Sequence, residues 1–154
     1  MSGIIKNSNS PVEATFSFKN YKFTKASIEL GALNVNDNLI IDFHPSGEYN
    51  PQDGLFKTVL GFVALIEETK VHVINIKCEA YFQFEIPLEF ENIPLYFYAN
   101  STAILYPYIR AFVSTLSLQA NYSPIVLPTL NISALADDLQ AKTVVNESLK
   151  VSSN

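Results

Sequence analysis

Residues 71–86 read VHVINIKCEAYFQFEI, and their alternation decides the first half of the fold. His72, Ile74, Ile76, Cys78, Ala80, Phe82 and Phe84 share one face of an extended strand, whereas Asn75, Lys77, Glu79, Gln83 and Glu85 share the other with Val71, Val73 and Tyr81. One face is apolar and the other half-solvated, the pattern of an antiparallel sheet packed on one side. Working backwards, Glu67, Glu68 and Thr69 predict a tight turn, and the nearly continuous apolar run 55–66 predicts a strand buried on both faces. A short strand is expected over 39–43, ended by His44-Pro45, with a loop over 46–54. The stretch 16–30 alternates on one parity at Phe16 and Phe18 and on the other at Tyr21 and Phe23, which calls for a bulge near Asn20. The Asn-rich stretch 31–38 connects the first two strands. With no helix-length crossover between them, these segments predict a four-stranded antiparallel sheet in an α+β fold.

Working forwards, the spacing changes from two to three and four. Leu105, Tyr108, Ile109, Phe112, Val113 and Leu116 form an apolar stripe that predicts a long helix, capped at Asn100 or Ser101. Pro107 predicts a kink or a late start, because a proline inside a helix costs about 3 kcal/mol. Residues 123–128 read as extended and apolar. Asn131 then caps a short second helix carrying Ile132, Leu135 and Leu139. The polar stretches 1–11 and 142–154 are expected to be mobile tails around a single domain over 12–141.

Composition narrows the function. Of 154 residues 48% are hydrophobic and 16% charged, with eleven Phe and eight Tyr, more apolar surface than a solvated monomer needs; some of it is expected to meet another chain. A net charge of −5 with scattered Lys and Arg argues against nucleic-acid binding. No apolar run approaches the roughly 20 residues of a membrane span. The polar start and a single cysteine, Cys78, point to a soluble, cytoplasmic protein. His44, His72 and Cys78 make no metal-ligand spacing, and no phosphate loop, nucleophile elbow or calcium loop is present. No enzyme activity, metal or cofactor is therefore expected. Cys78, on the apolar face of its strand, reads as an inert core thiol.

One stretch carries a specific signal. Residues 103–110, AILYPYIR, followed by 122–135, YSPIVLPTLNISAL, resemble the SecB family of protein-export chaperones. Tyr106-Pro107-Tyr108 with Arg110, then Pro128, Asn131 and Ala134-Leu135, match the family pattern in order and spacing; Phe23-Thr24-Lys25 and Cys78-Glu79 are similar to family pairs on the first and fourth strands. The resemblance accounts for Pro107. It implies a homotetramer built as a dimer of dimers, with helices between two outer sheets. It also implies an acidic docking surface for the SecA motor, for which Glu29 and Glu79 are the candidates. Ala26 stands where the family has an Asp, and two registers leave either Glu79 or Asn75 at the fourth-strand docking position.

The function so implied is a holdase that binds unfolded polypeptide and keeps it competent for export. Unfolded chains present apolar side chains at irregular spacing, and adaptable apolar grooves hold them best. Candidate groove residues are Leu33, Val35, Tyr81, Phe82, Phe84, Ile125, Val126, Leu127, Ile132, Leu135 and Leu139, although an all-apolar strand face usually packs on helices, which favours core for Phe82 and Phe84. The helical stripe from Leu105 to Leu116 is the candidate subunit interface. A chaperone dedicated to an antitoxin or another single client, and a carrier of small apolar ligands, are the alternatives.

Overall fold

The computed structural model describes residues 14–152; the tail expected over 1–11 and the domain start at Val12 lie outside them. Strands β1 (Phe16–Ile28), β2 (Leu39–Asn50), β3 (Leu55–Ile66) and β4 (His72–Phe84) are followed by helix α1 (Leu95–Gln119), helix α2 (Ala136–Ala141) and strand β5 (Thr143–Val145). Short 3-10 turns at Phe90–Asn92 and Ile132–Leu135 precede the two helices. The sheet order is β1-β4-β3-β2-β5, antiparallel except for β5, which runs parallel to β2. The sheet therefore has five strands rather than four. The α+β class and the long-then-short helix order are as expected.

β1 slips register between Phe18 and Asn20 and again between Phe23 and Lys25. The first slip is the bulge that the change of parity demanded. The two together keep Phe16, Phe18, Tyr21, Phe23 and Ile28 on the same face as the core residues of β4, directly across from them. β2 is more than twice the expected length, because Pro45 does not end it. Gly47 N, two residues on and therefore on the same edge, donates away from β3 to Lys142 O at 3.3 Å, so the Pro45 nitrogen faces the sheet's outer side and costs no ladder bond. The turn to β3 is short, and Gly54 supplies the positive φ of 71° that it needs. β3 is buried on one face only. Phe56, Leu60, Phe62 and Ala64 are fully buried, while Lys57, Val59, Gly61, Val63 and Leu65 are half-buried. His72 is exposed rather than part of the apolar face, because the β3–β4 pairing slips beside it.

α1 covers the inner face, and Phe97 is its anchor. Its ring centroid lies 4.6 Å from Phe56, 4.8 Å from Phe84, 4.9 Å from Phe16 and 5.6 Å from Phe82. Aromatic pairs of this kind add about 0.5–1.5 kcal/mol each beyond area burial. That cluster draws the helix start to Leu95, ahead of the expected cap. Ser101 and Thr102 are buried instead, with hydroxyls bonded back to the carbonyls of Tyr98 and Ala99. The helix runs through Pro107. The ring leaves the Ala103 carbonyl without its usual donor, but both residues are exposed and water can serve it.

The stretch after Lys142 is not a loose tail within the described residues. β5 closes the free edge of β2, and Leu149 is buried with Leu55 and Tyr81 in a small cluster on the outer face of the sheet. The ordered domain thus extends past 141.

Candidate functional site

Thr102, Tyr106, Arg110 and Ser114 recur every four residues on α1, with Ser117 continuing the row, so they share one side of the helix. Ser114 Oγ donates to Ile125 O at 2.8 Å, and Ile125 N donates to Ser117 Oγ at 2.9 Å. The Tyr106 hydroxyl donates to Pro128 O, and Thr102 Oγ1 to Ile132 O at 3.4 Å. Residues 125–131 are thereby tied along α1 without regular structure of their own. Burial pushes the Tyr106 hydroxyl pKa up, against the pull of the neighbouring Arg110 cation. Arg110 is the single charged residue of α1 and has no acidic partner among the described residues. Sequence reading missed this polar row, although its period of four was visible beside the apolar one.

Two depressions flank the tied segment. The first, about 260 Å³, lies between the 31–38 connection and the end of the helix, lined by Leu33, Val35, Leu39, Tyr122, Pro124 and Ile125. It unites three of the expected groove residues, Leu33, Val35 and Ile125. Val35 is fully exposed at 102%, and Val126, at 68%, lies next along the same chain segment. The second, about 550 Å³, opens between Ala103, Pro107, Arg110 and Ala111 of α1 and residues 129–133.

The other expected groove residues are structural. Phe82 and Phe84 sit in the core beneath α1, which settles their alternative reading. Leu127, Ile132 and Leu139 are buried in the same core, Leu139 completely; Leu135 is half-buried against it. Tyr81 faces the other way, under Leu149 on the outer sheet face.

The expected subunit stripe divides as well. Leu105, Ile109 and Val113 are buried inside the chain itself and offer another copy no surface. Tyr108, Phe112 and Leu116 remain partly exposed; Phe112 stacks on Phe23 at 3.9 Å and Tyr108 on Tyr21 at 4.1 Å. Glu29 and Glu79 are not brought together. Glu29 N bonds to Val73 O, and Glu79 lies six positions further along β4, about 20 Å at strand rise. Lys22 lies directly across from Glu79, and Ala26 pairs with Ile76 on the core-side face. Burial, aided by nearby Glu79, pushes the Cys78 thiol up to about 12, so it is not a nucleophile at neutral pH. Among the described residues no cluster of His, Cys, Asp or Glu is arranged to hold a metal, and no helix is long and apolar enough to cross a membrane.

This arrangement of sheet, long helix and tied segment has a solved counterpart. The Mycobacterium tuberculosis Rv1957 SecB-like chaperone, in complex with a ChAD peptide from the Rv1956 HigA1 antitoxin, superposes with a TM-score of 0.60 over 75% of this chain and 87% of that one, at 19% identity. The fold is SecB-like. A Streptococcus agalactiae protein of unknown function aligns at a TM-score of 0.42 and 12% identity, over 75% of this chain and 98% of that one. By sequence, 41 residues are 42% identical to an uncharacterized protein of Methanocaldococcus jannaschii, a match spanning 27% of this chain and 26% of that protein. No family model matches the chain. The SecB-like fold gives Pro107 and the tied segment a common setting, because the residues that carry the family resemblance are those that run along α1.

Proposed function

We propose that the chain is a SecB-like chaperone that holds unfolded polypeptide without catalysing a reaction. The observation that carries this reading is the open depression where Leu33, Val35 and Ile125 meet beside polar Asn34, Asp37 and Ser123, continued by exposed Val126, on a SecB-like fold. Its walls are irregular segments, able to adapt to clients of varied sequence. A second copy completes the molecule along β1, whose outer edge is unpaired among the described residues beside half-exposed Tyr21, Phe23, Tyr108 and Phe112. The nearly uncharged outward side of α1, with Ala103, Pro107, Ala111 and Leu118 exposed, supports the further packing of two dimers into a tetramer. The setting of such a chaperone is the cytoplasm.

A dedicated client suits the chain better than general export through SecA. Lysines surround Glu79, Ala26 carries no acid, and the structural neighbour holds an antitoxin peptide. Suppression of aggregation of a slow-folding protein tests the reading. The triple substitution Val35→Ser, Ile125→Ser, Val126→Ser is expected to reduce holding at least tenfold with native mass unchanged. Unchanged holding refutes the groove, and a wild-type protein that holds neither unrelated clients nor an antitoxin peptide refutes the chaperone.

A further inference from the structure

The outer face of the sheet, away from α1, already holds an extended segment: the chain's own residues 146–152. Asn146 N donates to Tyr49 O at 2.8 Å, continuing the contact that β5 makes with β2. The chain then turns, with Leu149 N donating to Asn146 O at 3.1 Å. Buried Asn50 clamps the turn, its Nδ2 donating to the carbonyls of Glu147 and Leu149 at 3.2 Å each. Leu149 fills a notch between Leu55 and Tyr81. Beyond it, Lys22 on β1 donates to the Ser152 hydroxyl, so the segment crosses from the β2 edge to the opposite end of the sheet.

Three features set this segment apart from the body of the fold. Its apolar anchor is a three-residue cluster separate from the main core, so lifting it leaves the inner face intact. Val144, Val145 and Val151 around it remain exposed at 58, 48 and 45%. It also fits poorly where it ends. Lys25 and Lys77 face each other directly across β1 and β4, a repulsive pair that makes no ion pair among the described residues, and Lys22 stands beside them across from Glu79. Against these three cations the segment brings Lys150 and Ser152; its one carboxylate, Glu147, lies on the other side of Leu149.

We propose that the notch of Leu55 and Tyr81, the Asn50 clamp and the Lys22, Lys25 and Lys77 cluster form a docking site for an extended segment of a partner protein, one that carries a leucine-type side chain followed by acidic residues and displaces residues 146–152. The Tyr49 carbonyl and the Asn50 amide, which residues 146–149 now occupy, supply the backbone contacts, the notch reads the apolar side chain, and the lysines read the acids. The site is on the opposite face from the groove proposed above and does not depend on it.

The probe is a labelled synthetic peptide of residues 142–152 carrying Lys150→Glu and Ser152→Glu, titrated into the full-length protein. Saturating peptide is expected to raise amide hydrogen exchange in 146–152 at least tenfold while β3 and β4 stay protected. Leu149→Ser in the protein, which loosens the segment, is expected to tighten peptide binding at least tenfold, and Tyr81→Ser to abolish it. Lys22→Glu with Lys25→Glu is expected to weaken the acidic peptide tenfold and leave the unsubstituted peptide unaffected. Exchange of 146–152 only through global unfolding overturns the proposal, as does equal affinity of wild type and Leu149→Ser. A doubled native mass of Leu149→Ser without peptide also overturns it, because a second copy's segment then takes the site. Should Leu149→Ser fail to fold, the exchange measurement on the wild type decides.

Discussion

The two edges of the sheet are treated in opposite ways. At one end β2 is covered by β5, and the continuation of β5 folds over the sheet. At the other, thirteen residues of β1 leave one edge unpaired among the described residues, next to aromatic side chains that are only half-buried. A long open edge is an aggregation hazard unless something occupies it. The chain protects one edge with its own residues, and the other is the edge at which a second copy is proposed to dock. The largest expected effect therefore lies at β1. Phe23→Asp removes the 3.9 Å stack on Phe112 and places a charge where a second copy is proposed to dock. Native mass spectrometry is expected to show a fall to the 17.2 kDa monomer, with assembly weakened by about 4 kcal/mol or more. A tetramer that survives the substitution would move the interface off β1.

The β2 edge is expected to respond in stability, not in assembly. A Cβ on Gly47 would stand 2.7 Å from Thr143 Oγ1 and 2.9 Å from the Phe56 ring, so Gly47→Ala must push β5 off or shift the core. Overpacking of this kind costs about 1–3 kcal/mol, and the urea midpoint should fall accordingly while native mass holds. Between the edges, Thr58 is a control. Its hydroxyl is buried without a partner in the middle of β3, and Thr58→Val is expected to raise stability by about 1 kcal/mol with assembly unchanged.

The same contrast explains what the sequence revealed. β4 and its apolar face were legible because alternation over thirteen residues admits one reading, and the Phe18–Asn20 bulge because a change of parity forces one. β2 was cut short at Pro45, whose missing N–H turns out to face away from β3; edge position is a property of the sheet and not of the residue. β5 spans three residues, too few for any period, and its pairing depends on contacts almost a hundred positions distant. The site fared unevenly for a related reason. Apolar residues mark both core and groove, so Leu127, Ile132 and Leu139 were indistinguishable from Ile125 and Val126 until burial separated them. The loop residue Val35 was the better candidate, since an apolar side chain in a connection often has no strand or helix face to hide it, although its neighbour Leu33 does pack in part against the core.

The smallest expected effect sharpens the comparison at the closed edge. Glu48 on β2 binds Lys57 of β3 at 2.7 Å and accepts from Asn146 Nδ2 at 2.8 Å, so one carboxylate ties the edge strand both to its neighbour and to the crossing segment. The Lys57 hydrogen bond holds its pKa below the ordinary 4.5, with help from Asn146 and the Lys57 charge and against the desolvation that burial brings. A carboxylate with a depressed folded pKa stabilises fully above its unfolded value, and the contribution disappears as pH falls through the folded one. The window is therefore below pH 4.5. Because both partners remain partly exposed, solvent screening limits the gain to about 0.5–1 kcal/mol. Glu48→Gln is expected to lose that amount at pH 7 by urea denaturation and to match the wild type once Glu48 is protonated. Hydrogen exchange at Asn146 should rise in step, since the acceptor that holds its side chain is weakened. A variant whose deficit stays constant down to pH 3 would mean that Glu48 acts through packing alone, and that the closed edge is held by β5 without electrostatic support.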